Sequence, residues 1–173
     1  HIQDEPLPAN KKDYQKLLKK QEGYKLAEVK GKASSAFASN WENKIIELGK
    51  NTFGWKSLKL NFGKKQVTMT VTETNGNSYE LPFGYQQWIT TTFDSYPPYS
   101  ITPIDRFKGL EGPYYASGSY AWISKEELQL KAHYVNWVSA LEITFHLEEN
   151  GEVKLNVQTN YIKKPYTITG VIK

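Results

Sequence analysis

The chain has 173 residues, a net charge of +4 and no cysteine. That length suits one domain with its own core, and the missing thiols exclude disulfides, thiolate nucleophiles and thiolate metal sites. Of its 22 basic residues only Arg106 is an arginine, and the lysines crowd the first 32 positions before alternating along strand exteriors, which reads as a solvated surface and not as a nucleic-acid footprint.

No run of about 18 apolar residues is present, so the sequence predicts no membrane span. It shows no signal peptide. It begins at His1 and its one methionine is Met69, which reads as a mature or excised piece of a longer product.

In chain order, residues 1–9 carry Pro6 and Pro8 and read as an extended linker before one domain over 10–173. Asn10 is placed to cap a helix over 10–22, with Asp13 near its positive end and Gly23 as its stop. Tyr14, Leu17 and Leu18 fall at i, i+3, i+4 and give it a narrow apolar stripe, expected to pack on something larger. The lysines opposite suggest a membrane-surface helix only weakly, because so small a stripe inserts poorly.

Small polar residues from Gly31 to Ser39 predict a loop, and Trp41 to Leu48 a first strand. Leu58, Leu60 and Phe62 alternate with polar residues, as do Val67, Met69 and Val71, then Tyr79, Leu81, Phe83 and Tyr85. Asn75-Gly76 predicts a hairpin with a type I′ turn. Pro82 lacks an amide donor and suggests an edge or a bulge. From Trp88 to Pro113 the pattern fails, and a connection that long is expected to be functional or mobile.

The clearest alternation then runs from Tyr115 to Asn160. Leu128, Leu130, Ala132 and Tyr134 face one way, as do Leu141, Ile143, Phe145 and Leu147, then Val153, Leu155 and Val157 after Asn150-Gly151. Period two over such lengths means antiparallel strands with one apolar face. A last strand spans Tyr166 to Ile172. The expectation is mainly β: an up-and-down barrel or strongly curled sheet of eight to nine strands with one short N-terminal helix, because closure removes exposed edges.

Chemistry is harder to read. No serine has a lysine three residues later, and neither Gly-x-Ser-x-Gly nor Lys-Thr-Gly occurs. Tyr134-Val135-Asn136 matches the Tyr-x-Asn element of class C β-lactamases, but it lies on a predicted strand without partner motifs. His133 and His146 fall on outward strand faces where antiparallel pairing could make them neighbours, yet two histidines without a placed carboxylate are a poor metal site. Glu126-Glu127 and Glu148-Glu149 sit at strand ends, where exposed carboxylates serve solubility. No glycine-rich phosphate loop precedes a helix.

The aromatics, with 12 Tyr, 7 Phe and 5 Trp, form the one suggestive constellation. Tyr85, Trp88, Tyr96, Tyr99 and Arg106 lie at or in the long connection, and Tyr120 and Trp122 follow it. Barrel mouths bind apolar ligands or sugars on such side chains, and the same residues also serve as core and loop anchors. They are the candidate ligand- or partner-binding residues; no catalytic or metal residue and no cofactor is predicted.

Several stretches together resemble a known family. Leu7-Pro8-Ala9-Asn10 opens a Lys-rich helix, and Gly54-Trp55-Lys56-Ser57-Leu58 precedes an alternating strand. Leu81-Pro82-Phe83-Gly84-Tyr85 with Trp88 is similar to the family's Pro-Phe-Gly…Trp element, and Ala116–Trp122 with Leu128, Thr144-Phe145 and Val153 to its closing block. Across residues 5 to 160 they resemble the lipocalin-like C-terminal domain of bacterial serine hydrolases of the class C β-lactamase and penicillin-binding-protein type. The resemblance implies a non-catalytic accessory domain packed on an N-terminal catalytic domain of the same parent chain, periplasmic or at the cell surface. The catalytic motifs belong to that other domain, so no catalytic residue carries over. The alternative expectation is a lipocalin-like module for a small apolar ligand or glycan.

Overall fold

The computed structural model describes residues 10–93, 112–137, 139–148, 150–160 and 163–173. The expected linker 1–9 and the candidate residues Tyr96, Tyr99 and Arg106 lie outside them.

The helix α1 (Lys11–Glu22) forms where its caps predict. Asn10 Oδ1 accepts from Asp13 N at 3.1 Å, satisfying one of the amides a first turn leaves open. Its stripe, however, is left largely open: no residue of α1 is buried, and Tyr14 and Leu17 stay more than half exposed. The predicted first strand is also shorter than expected, because Ala36–Asn40 is a 3-10 turn and Trp41 a turn residue ahead of β1 (Ile45–Leu48).

Nine more strands follow: β2 (Trp55–Phe62), β3 (Gln66–Glu73), β4 (Ser78–Tyr85), β5 (Ile89–Phe93), β6 (Tyr114–Trp122), β7 (Glu127–Tyr134), β8 (Ser139–Leu147), β9 (Glu152–Thr159) and β10 (Tyr166–Ile172). Nine of the ten strands, all but β5, close into a barrel in the order β4-β3-β2-β1-β10-β9-β8-β7-β6. Every neighbour in that ring is antiparallel except the last pair, where Gly84 and Tyr85 run parallel to Ser119 and Tyr120. Parity requires this, since an odd ring of alternating strands must bring two parallel ones together. Parallel neighbours need a long crossover, and the connection 86–113 supplies it.

Part of that connection is itself a strand, which corrects the expectation of an irregular stretch. β5 pairs with the first half of β6, from Ile89 opposite Gly118 to Phe93 opposite Tyr114. The edge of β6 is thus shared, β5 holding its first half and β4 its second. Gly118 stands at the fork, where a Cβ would collide with the Pro82 carbonyl oxygen and the Phe83 ring. Pro82 pairs with Thr68 on one side only, as a residue without an amide donor should.

The two Asn-Gly hairpins also differ from expectation. Gly76 N donates to Glu73 O at 3.0 Å and Glu73 N to Asn77 O at 2.8 Å. Gly76 takes the positive φ while Asn75 does not, the pattern of a type I turn followed by a glycine bulge. Glu148, Gly151 and Glu152 repeat these bonds. The extra residue adds twist, which a closing sheet needs.

Inward side chains fill the ring. Leu58, Leu60, Met69, Leu81, Phe83, Leu130, Ile143 and Leu155 are buried along it. Trp41 is wholly buried at one end, edge-on to Trp122 at 6.1 Å and to Phe145 at 5.7 Å, with Phe62 stacked on Trp122 at 5.9 Å. Trp55, Tyr79, Tyr114 and Tyr134 fill the other end.

Candidate functional site

The described members of the predicted aromatic set converge on one feature, the strap 26–33 that leads from α1 into the barrel. Val29 is buried over β6, and its amide donates to the Ser119 hydroxyl at 3.2 Å. Trp88 Nε1 donates to Leu26 O at 2.9 Å, Tyr85 Oη to Gly31 O at 3.1 Å and Tyr120 Oη to Ala33 O at 3.0 Å. Lys32 and Trp122 exchange two backbone bonds of 2.9 Å. The strap crosses the seam where β4 and β6 meet, and the polar tips of the aromatics hold it there. Each such bond contributes about 1 kcal/mol. Burial, then the neighbouring Tyr85 phenol, holds the Tyr120 phenol above its ordinary pKa.

Beside the strap lies a cleft of about 470 Å³, bounded by Lys32, Ser34, Ser35, Trp122, Ser124 and Lys125. Ser35 Oγ donates to Lys125 O at 2.6 Å and accepts from Phe37 N at 3.2 Å. Ser124 Oγ accepts from the amides of Glu126 and Glu127. The Lys125 ammonium lies 5.0 Å from the centre of the Phe37 ring. Among the described residues no carboxylate or imidazole lines this cleft. Both lysines are exposed.

The histidines are not neighbours. Register sets His133 opposite Ala140 and His146 opposite Glu127, at different ends of β7. His146 lies 3.7 Å from the Glu127 carboxylate and 4.0 Å from Glu148. Lys154, bonded to Glu148 at 2.6 Å, holds that carboxyl below the usual range. The Trp88 ring lies edge-on to His133 at 5.2 Å, and burial, then the Lys131 charge, pushes that imidazole down. Among the described residues no group of three or more His, Asp or Glu is placed to hold a metal.

Tyr134-Val135-Asn136 has a structural explanation. Tyr134 is buried inside the barrel, and burial pushes its phenol well up. Asn136 Oδ1 accepts from Tyr115 N at 2.9 Å and its Nδ2 donates to Pro113 O at 3.0 Å, pinning the start of β6.

Sequence reasoning missed Trp41 as the plug of one barrel end. The signal was an isolated tryptophan after a small polar run, which periodicity assigns to a strand. It also missed Ser119, an outward serine that the strap covers completely and that no sequence signal marks.

No protein-family model matches the chain, and no curated protein is significantly similar to it.

Proposed function

We propose that this chain is a non-catalytic accessory domain, the C-terminal β-barrel of a serine hydrolase of the β-lactamase type, acting in the periplasm or at the cell surface. It works by packing on the catalytic domain of its parent chain. The observation that carries the reading is where the resemblance residues lie. Pro82-Phe83-Gly84 on β4 and Ala116–Trp122 on β6 meet at the parallel seam, Gly84 opposite Ser119 and Pro82 against Gly118. Both halves of the resemblance are thus scaffold, the residues that close a ring.

The filled interior supports the same reading. A lipocalin-like binder needs a lumen, and here Trp41, Trp122 and Phe145 occupy one end and Trp55, Tyr79 and Tyr114 the other. The outer faces are left for contact.

Two measurements test it together. The purified chain should not turn over nitrocefin or p-nitrophenyl esters, and hydrophobic probes or oligosaccharides should leave its tryptophan fluorescence unquenched. Hydrolysis that co-purifies with the protein refutes the reading in favour of an enzyme; saturable quenching refutes it in favour of the apolar-ligand or glycan module.

A further inference from the structure

The chain contains two Asn-Gly steps, Asn75-Gly76 and Asn150-Gly151, each inside the same spacing, Glu-x-Asn-Gly. A glycine after an asparagine leaves the main-chain nitrogen unshielded by a Cβ, so that nitrogen can reach the carbonyl carbon of the asparagine's own side chain. Both asparagines are exposed at hairpin tips. In both, the backbone amide two residues on holds Oδ1: Asn77 N at 2.8 Å on Asn75, and Glu152 N at 3.0 Å on Asn150. A donor on a carbonyl oxygen polarises it and stabilises the negative charge that an attack would place there. The attacking nitrogen is itself engaged, Gly76 N with Glu73 O at 3.0 Å and Gly151 N with Glu148 O at 3.1 Å. One turn bond therefore restrains each site.

The two hairpins differ at the leaving group. In the first, Asn75 Nδ2 donates to the Glu73 carboxylate at 3.1 Å. That charged acceptor pins the side chain in its turn and makes the amide nitrogen harder to expel. In the second, the carboxylate at the equivalent position, Glu148, is held by Lys154 at 2.6 Å. Among the described residues Asn150 Nδ2 has no hydrogen-bond partner, and only Oδ1 of that side chain is held. The local sequences are alike; a lysine on β9 separates them.

We infer that Asn150-Gly151 is a self-modifying site, which converts Asn150 to aspartate and isoaspartate ahead of Asn75. When the tip opens, Gly151 N gives up its proton and its electron pair bonds to Asn150 Cγ. The Cγ–Nδ2 bond breaks, and Nδ2 leaves with that proton as ammonia. The cyclic imide then takes up one water, which opens either of its carbonyl–nitrogen bonds. Opening on the side-chain carbonyl leaves an aspartate. Opening on the main-chain carbonyl reroutes the backbone through the side chain as isoaspartate, with an added methylene. Either product places a new carboxylate at a tip that already carries Glu148 and Glu152. Isoaspartate also disturbs the spacing on which the glycine bulge and the Ile172 N to Gly151 O bond of 3.3 Å depend. The site is a slow, one-way loosening of the β8–β9 tip, and it does not depend on the accessory-domain reading.

Incubating the full chain in mildly alkaline buffer, folded and in urea, decides it, read by peptide mass mapping and isoaspartyl-methyltransferase labelling. In the folded chain Asn150 should convert at least about fivefold faster than Asn75, the effect of one further hydrogen bond on Asn75. In urea both should react faster and at similar rates, because the turns are gone. Glu73→Ala should bring Asn75 up to the rate of Asn150. Lys154→Met, which releases Glu148 to hold Asn150 Nδ2, should slow Asn150 about fivefold. These side chains lie outside the core, and circular dichroism checks that each variant folds. Equal rates in the folded chain, or Asn75 ahead, overturn the inference. So does an Asn150 that reacts only in urea, or one that reacts as fast folded as unfolded. An Asn150 rate untouched by Lys154→Met overturns it too, since the lysine then plays no part.

Discussion

Tyr79 and Tyr134 show how the same side chain changes character with its surroundings. Burial pushes the Tyr79 phenol far above its ordinary 10.0 and the Tyr134 phenol well above it, although Trp55 Nε1 bonds to Tyr79 at 3.3 Å. A group whose pKa is raised on folding stabilises fully below its unfolded pKa, and that contribution is lost as pH rises. Above pH 10 the unfolded chain gives up protons that the folded chain keeps, so unfolding becomes easier. Urea titrations should show stability falling from pH 10 upward, by about 1.4 kcal/mol per pH unit for each such phenol. Tyr134→Phe should flatten the slope; an unchanged slope places the effect elsewhere. Alternation put both side chains on the apolar face, but how completely the barrel desolvates their hydroxyls is not legible in sequence.

Elements show the division more sharply. β7, β8 and β9 were plain in the sequence because both faces have a fixed environment, core within and water outside. β5 was not, because Thr90, Thr91 and Thr92 carry no alternation and the strand owes its existence to the free edge of β6. The strap was invisible for a related reason: Leu26 to Ala33 has no period, and bonds to Trp88, Tyr85 and Tyr120 hold it. Tyr85→Phe with Trp88→Phe should speed amide exchange at Val29 and Lys32 about thirtyfold, for roughly 1 kcal/mol per bond, while β8 amides keep their protection. Uniform loss of protection instead makes the strap part of the cooperative core. At the fork, Gly118→Ala should cost about 1–3 kcal/mol in chemical denaturation, since the added methyl meets the Pro82 carbonyl and the Phe83 ring.

For the molecule as a whole, α1 and the barrel are energetically separate. The helix buries no residue, so deleting residues 10–25 should leave the thermal midpoint of the barrel within a degree or two. A large drop in the midpoint refutes that separation. What the sequence determined by itself was local: the β character, the barrel class, the helix with its caps and the turn positions, because each rests on periodicity or on backbone preferences within a few residues. What only the tertiary structure decided was which strands close the ring, that the closing pair runs parallel, and that Tyr85, Trp88, Tyr120 and Trp122 grip the chain's own strap. Those outcomes depend on pairs of residues distant in sequence, and no local pattern carries that information: an aromatic that binds a ligand and one that holds a backbone carbonyl have the same composition, and only the neighbour across the fold tells them apart.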